Sequence, residues 1–421
     1  MKLKKFLVGV VGVSAVLALT ACGGGDSSKS GDSGKEGVQE LTFWGSWSGN
    51  QVDQLNELIG NYNKSQDKFK VTYKVQDNVE EKLLTGMAGG EIPDVILWDR
   101  FNTGMYAKKN ALLELDDLIK KDNVDMDAFY EETVNEMNVD GKQYGIPLLV
   151  DNRSLFYNKT MLEEAGVEPP TNWEELMNVA EKTTIRENGK LKQAGFSLED
   201  VGLFNMWIQQ AGGSMLSEDG KTTDFNSDKG KEVLDFWNEM INEKKVYELG
   251  FNSGSDAFAA GKVAMVYNGP WALADYDKVD GLEYGIVPPV AGPNGDKGAV
   301  TGGFGLVIPK TATHQEGAWD FIKWWTTQPE NGVEFAKISN WLPANKEAAA
   351  DKFFEDEKYK AFVEAMEFAK VRPTTSGYSD VETLAVIPQL ENFIAGKTTA
   401  DKALAAAQKQ GDKILKEEAD N

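Results

Sequence analysis

The sequence predicts an α/β protein whose body divides into two lobes. Three observations lead there. Short apolar runs of strand length alternate with amphipathic stretches of helical period along most of the chain. Hydrophobic residues make up 41% of the sequence and charged residues 26%, which is globular composition and excludes a disordered chain. Beyond an apolar leader and a polar stretch, roughly 380 residues remain, and single cores stop growing near 250–300 residues.

The leader comes first. Lys2, Lys4 and Lys5 precede an apolar run over about 6–18, too short for a mature transmembrane helix and of the right length for a signal-peptide core. Leu19-Thr20-Ala21-Cys22-Gly23 then resembles a bacterial lipoprotein signal, in which Cys22 would be lipidated and become the mature N-terminus. Residues 23–37, GGGDSSKSGDSGKEG, read as a flexible tether spanning on the order of 20 Å.

The body follows. A strand is expected over 40–44 and an amphipathic helix over 52–62, with Val52, Leu55, Leu58, Ile59 and Tyr62 at helical spacing. Residues 69–75 alternate as a strand, 80–88 read as a helix, and 94–98 form a buried strand behind Pro93. Thr171 is placed to cap a helix starting near Trp173, with Glu174 and Glu175 in its first turn. Further strands are expected over 263–267, 284–287 and 304–308, and helices dominate from residue 315. This order suggests mainly parallel sheets.

Charge narrows the function. The chain has 44 Lys and Arg against 67 Asp and Glu, a net charge of −23. Nucleic acid is therefore not an expected partner, because phosphate neutralisation needs basic residues. One cysteine and one histidine leave no internal disulfide and no Cys/His zinc site, and a Ser–His or Cys–His nucleophile would have to use His314, read as a surface residue. No metal, no cofactor and no catalytic residue is expected. Counting does not remove a surface glycosidase or transglycosylase, but no spacing picks out its carboxylate pair.

The aromatic residues point elsewhere. Of eleven tryptophans, Trp173, Trp237, Trp319, Trp324 and Trp325 sit in helical patterns and read as packing. Trp44, Trp47, Trp98, Trp207, Trp271 and Trp341 lie at strand ends or turns beside Asp, Asn, Gly or Arg. Ligands of open α/β sheets bind beyond strand carboxyl ends. An indole there can stack on the C–H face of a pyranose while Asp, Asn and Arg take its hydroxyls. Three such rings would contribute roughly 2–4 kcal/mol. Of the four arginines, Arg100, Arg153 and Arg372 occupy turn segments and suit two-pronged recognition, including that of a phosphorylated or uronic sugar.

These residues occur in a recognisable order. Ile92-Pro93-Asp94-Val95-Ile96-Leu97-Trp98-Asp99-Arg100-Phe101, Tyr144-Gly145-Ile146-Pro147 running into Leu155-Phe156-Tyr157-Asn158-Lys159, Phe258-Ala259-Ala260-Gly261-Lys262-Val263-Ala264-Met265 and Asn268-Gly269-Pro270-Trp271 follow the lipoprotein-like leader. The chain from about 40 to 414 resembles the family 1 extracellular solute-binding proteins of bacterial ABC sugar importers. The resemblance implies a two-lobed periplasmic-binding-protein-like fold, with a ligand cleft between lobes joined by crossing strands. It implies lobes of 38–147 plus 303–340 and of 148–302 plus 341–421, behind a signal peptide over 1–21 and a tether over 22–37.

The implied function is capture of a carbohydrate, an oligosaccharide in the first instance, for delivery to ABC permease subunits. The implied setting is a monomer anchored by Cys22 at the outer face of the cytoplasmic membrane. The resemblance implies contacts at Trp98, Asp99, Arg100, Asp151, Trp271 and the loop from Arg372 to Tyr378, with Tyr378 as its ring. The residue pattern itself offers Trp44, Trp47, Arg153, Asn205, Trp207, Asn268 and Trp341, with Asn152 as the alternative to Asp151. Of these, Trp44, Trp47 and the segment around Asn205 and Trp207 depart from the family's pattern. Gly302-Gly303 marks either a crossing strand where ligand approaches the backbone or a bulge, with Gly303 the candidate contact.

Overall fold

The computed structural model describes residues 37–419. Cys22, the leader and all but the last residue of the tether lie outside the described residues.

Twelve strands matter for the site. They are β1 (Gln39–Gly45), β2 (Phe69–Val75), β3 (Val95–Asp99), β4 (Gly145–Pro147), β5 (Leu149–Asn152), β6 (Ser154–Asn158), β7 (Met265–Asn268), β8 (Tyr284–Val287), β9 (Ala299–Gly302), β10 (Phe304–Val307), β11 (Leu342–Pro343) and β12 (Ala369–Val371). One five-stranded sheet has the order β2-β1-β3-β10-β4, a three-stranded sheet β7-β6-β8, and a four-stranded sheet β11-β5-β9-β12.

The expected parallel character holds only locally. β1 is parallel to β2 and β3, and β9 to β12. By contrast β10 runs antiparallel to β3 and β4, β6 to β7 and β8, and β5 to β9 and β11. The cause is the path of the chain. β4, β5 and β6 are nearly continuous in sequence yet belong to three different sheets, and β9 and β10 belong to two. Strands that return from another sheet enter against the direction of their neighbours.

Helix α1 (Asn50–Ser65) buries Leu55, Leu58, Ile59 and Tyr62, four of the five positions expected from spacing, and leaves Val52 half-buried. Helix α2 (Trp173–Thr183) is capped by Asn172, whose side chain accepts from the Glu175 backbone N–H at 2.9 Å. The expected cap, Thr171, instead donates its backbone N–H (2.8 Å) and hydroxyl (2.7 Å) to the Glu175 carboxylate, which reaches back as in a capping box. Helix α3 (Phe204–Gln210) stands against the four-stranded sheet and contributes Trp207 to a core shared with Trp173, Phe196 and Trp237.

The two sheet-crossing passages meet at one glycine. Gly303, between β9 and β10, has φ 127°, and a Cβ there would lie 2.2 Å from the Leu149 carbonyl oxygen and 2.9 Å from Arg100 Nη1. Only glycine fits.

A candidate carbohydrate-binding cleft

Two adjoining hollows lie beyond the strand ends. The larger, about 360 Å³, is bordered by Arg153, Asp200, Trp207, Asn268 and Trp271 among others. The second, about 270 Å³, is bordered by Asp99, Phe101, Asp151, Asn205, Arg372 and Glu382 among others. Arg153, Asp200 and Leu203 border both, so the two hollows adjoin, and together they are termed the cleft. The larger hollow alone falls within the roughly 300–1,000 Å³ of small-molecule sites.

Strand alternation settles which residue of β5 faces the cleft. Asp151 borders it, accepts from the Gly302 backbone N–H at 3.2 Å and stands 3.6 Å from Arg153. Asn152 points the other way, is fully buried and donates to the Phe362 carbonyl at 2.8 Å. At the end of β3 the same alternation turns Asp99 toward the cleft and Trp98 away. Asp99 accepts from Arg372 at 3.1 Å.

Each cleft arginine covers an aromatic ring. The Arg372 guanidinium lies 3.8 Å from the centre of Phe101, and Arg153 lies 4.3 Å from that of Trp271. On its other face Trp271 stacks on Trp341 (4.6 Å, 28°), which stacks on Trp47 (5.2 Å, 18°). Phe335 continues the column beyond Trp47 at 6.3 Å. A sugar reaching the indole of Trp271 must therefore meet or displace Arg153.

Several expected contacts are corrected. Trp98 is fully enclosed and packs edge-on to Tyr106, in a small core with Val79, Leu83 and Ile96, so it has no face to offer a ligand. Trp44 packs against that same cluster and does not border the cleft. Trp47 and Trp341 are buried within the column and border neither hollow. Trp207 borders the larger hollow from within the core at 1% exposure, and thus forms its wall more than a free platform.

Tyr378 lies buried behind Phe101, whose ring it meets edge-on, and its hydroxyl stands 3.4 Å from Asn205 Nδ2. Gly303 is crowded by Leu149 and Arg100, and it is Gly302 that borders the cleft. Asn268 borders the cleft while donating to the Tyr276 hydroxyl at 2.9 Å.

Arg100 has a structural post instead of a ligand role. It is fully buried, pairs with Glu136 at 2.9 Å, and donates to the carbonyls of Leu149, Gly302 (2.5 Å) and Phe304 (3.2 Å). Those carbonyls belong to both crossing passages, so one guanidinium pins them together. Burial pushes the Glu136 carboxyl up, and Arg100 opposes that push. Arg100 is enclosed, and Arg153 and Arg372 each stand beside a carboxylate, which offsets part of their charge toward an anionic sugar.

Asp200, Glu382 and Phe101 border the cleft but were not singled out from sequence. Asp200 caps a short turn by accepting from the Gly202 N–H at 3.0 Å. Glu382 sits in a π-helical turn, Val381–Val386, and wide turns of this kind recur at functional sites. Burial pushes its carboxyl up to about 7, with Arg372 lowering it and Asp99 and Asp200 raising it.

The chain is similar to several known proteins. The diacetylchitobiose binding protein DasA of Streptomyces coelicolor is 27% identical over 426 residues, covering 95% of this chain and 96% of its own. The maltotriose-binding protein of Pyrococcus abyssi is 24% identical over 344 residues, covering 80% and 74%. An ABC substrate-binding protein of Listeria monocytogenes, solved in complex with cycloalternan, superposes with a TM-score of 0.82 at 25% identity, covering 90% of this chain and 99% of that one. The fold is therefore the two-lobed α/β fold of periplasmic sugar-binding proteins. Residues 57–361 match the family described as bacterial extracellular solute-binding protein, and the chain belongs to that family.

Proposed function

We propose that this protein captures an oligosaccharide in the cleft and presents it to an ABC importer. The observation that carries the reading is the pair of adjoining hollows beyond the strand ends, where indole, guanidinium, amide and carboxylate groups converge. The ligands named for the relatives, diacetylchitobiose, maltotriose and cycloalternan, are all oligosaccharides and support it. Asp99, Asp151, Arg153, Asn205, Asn268, Trp271 and Arg372 are the contacts. The lobes are taken as 38–147 with 303–340 and 148–302 with 341–421, and ligand stabilises their closed arrangement by touching both. Lipid on Cys22 holds a monomer beside the membrane, and no bond is broken in the ligand.

Thermal unfolding against a panel of neutral di- to tetrasaccharides tests the capture, since a ligand bound only by the folded state raises the melting temperature by mass action. A saturable upshift with one linkage, and recovery of that saccharide uncleaved, is expected. No upshift at millimolar concentration, or appearance of shorter products, would refute it.

A further inference from the structure

The second hollow holds more negative charge than its own arginines neutralise. Four carboxyl groups border it, Asp99, Asp151, Asp200 and Glu382, against two guanidinium groups, Arg153 and Arg372. Each guanidinium has a carboxylate nearby: Arg372 stands 3.1 Å from Asp99, although its Nε is buried without a hydrogen-bond partner, and Arg153 stands 3.6 Å from Asp151. Among the described residues no salt bridge reaches Asp200 or Glu382, and no lysine borders the hollow.

Glu382 makes the deficit specific. It is only 7% exposed, and its Oε2 is enclosed without a hydrogen-bond partner. A buried polar group without a partner is costly, and a buried charge more so. The π-helical turn fixes it there: Val381 on the same turn is packed into the core, while Glu382, Thr383 and Ile387 border the hollow. Burial raises the proton affinity of this carboxyl, Arg372 lowers it, and Asp99 and Asp200 raise it further.

We infer that this end of the cleft is a subsite for a sugar carrying a protonated amine. This rests on the oligosaccharide-receptor reading and narrows it. A neutral hydroxyl would give the Glu382 carboxyl a donor but bring no positive charge to the four carboxyl groups. A uronic or phosphorylated sugar would add to it. An ammonium supplies donor and charge together, and a charge-assisted hydrogen bond is roughly twice as strong as a neutral one. A bare metal ion fits less well, because no three His, Cys, Asp or Glu groups among the described residues are placed to hold one.

The test compares chitosan disaccharide, diacetylchitobiose and cellobiose, together with glucosamine, N-acetylglucosamine, glucose and glucuronic acid, by calorimetry at neutral pH and two salt concentrations. The amine form is expected to bind at least tenfold tighter than its acetylated and hydroxyl counterparts, with the advantage shrinking as salt rises. Glu382→Gln, which should fold because it removes an unpaired buried charge, is expected to bring the ratio of amine to neutral affinity to within about threefold. Neutral sugars that bind as tightly as the amine form, or an unchanged ratio in the Glu382→Gln protein, would overturn the subsite and leave the receptor reading standing. Failure of these probes and of the wider neutral panel alike would overturn both.

Discussion

Glu382→Gln should make the protein more stable, and by an amount that depends on pH. The wild-type carboxyl sits at about 7 in the folded protein against an ordinary 4.5, because burial disfavours its charge. The folded state therefore holds this proton more tightly than the unfolded chain does. As pH rises from about 4.5 to 7 the unfolded chain releases the proton first, and the folded state loses stability relative to it. At about 1.4 kcal/mol per tenfold change in proton affinity, the full penalty above pH 7 is about 3 kcal/mol. Glutamine keeps the shape and removes the charge. The two proteins should thus be nearly equal near pH 4.5 and differ by about 3 kcal/mol at pH 8. A body of roughly 380 residues has an unfolding entropy near 0.8 kcal/mol/K, so the gap at pH 8 is about 4 °C. Melting curves of both proteins between pH 4 and 8 check this, and groups that titrate alike in both cancel in the difference. A gap that is flat with pH, or a variant less stable than wild type at pH 8, would refute the reasoning.

Other expectations follow from the same geometry. Arg100→Ala leaves Glu136 buried without its partner and should cost about 3–5 kcal/mol in denaturant unfolding, with part of the loss recovered at low pH as Glu136 takes up a proton; a loss under 1 kcal/mol would show that the guanidinium is not the pin. Gly303→Ala forces a Cβ to within 2.2 Å of the Leu149 carbonyl oxygen and should lower the yield of folded protein or the melting temperature by several degrees. Trp271→Ala should weaken oligosaccharide binding at least tenfold. Trp98→Phe should lower stability by about 1–2 kcal/mol and leave affinity alone, because the ring is enclosed away from the cleft; reversed outcomes for this pair in titration calorimetry would restore the first expectation for Trp98.

The strands and helices were legible because their signals are local. The stripe of α1 and the apolar run of β3 each lie within a few residues and reappear where expected. Sheet direction was not, because β10 pairs with β3 across some two hundred positions of chain and nothing in either segment encodes the return. The Trp98-Asp99-Arg100 triplet shows the same divide. Its three residues look alike as an exposed turn, yet alternation sends Trp98 inward, Asp99 to the cleft, and Arg100 to carbonyls on distant passages. Glu382 was overlooked because a charged residue in a helical stretch ordinarily faces solvent. Its burial depends on the cavity opposite, which sequence spacing does not display.

The column of Trp47, Trp341 and Trp271 also gives the molecule its own optical gauge. Indoles stacked 4.6 to 5.2 Å apart share excitation and depend steeply on their mutual angle. Any guest that lifts Arg153 from Trp271, or tilts that ring against Trp341, will alter near-ultraviolet dichroism and emission without an added dye. Occupancy can then be followed in real time on the unlabelled chain, at concentrations set by eleven tryptophans and not by a reporter.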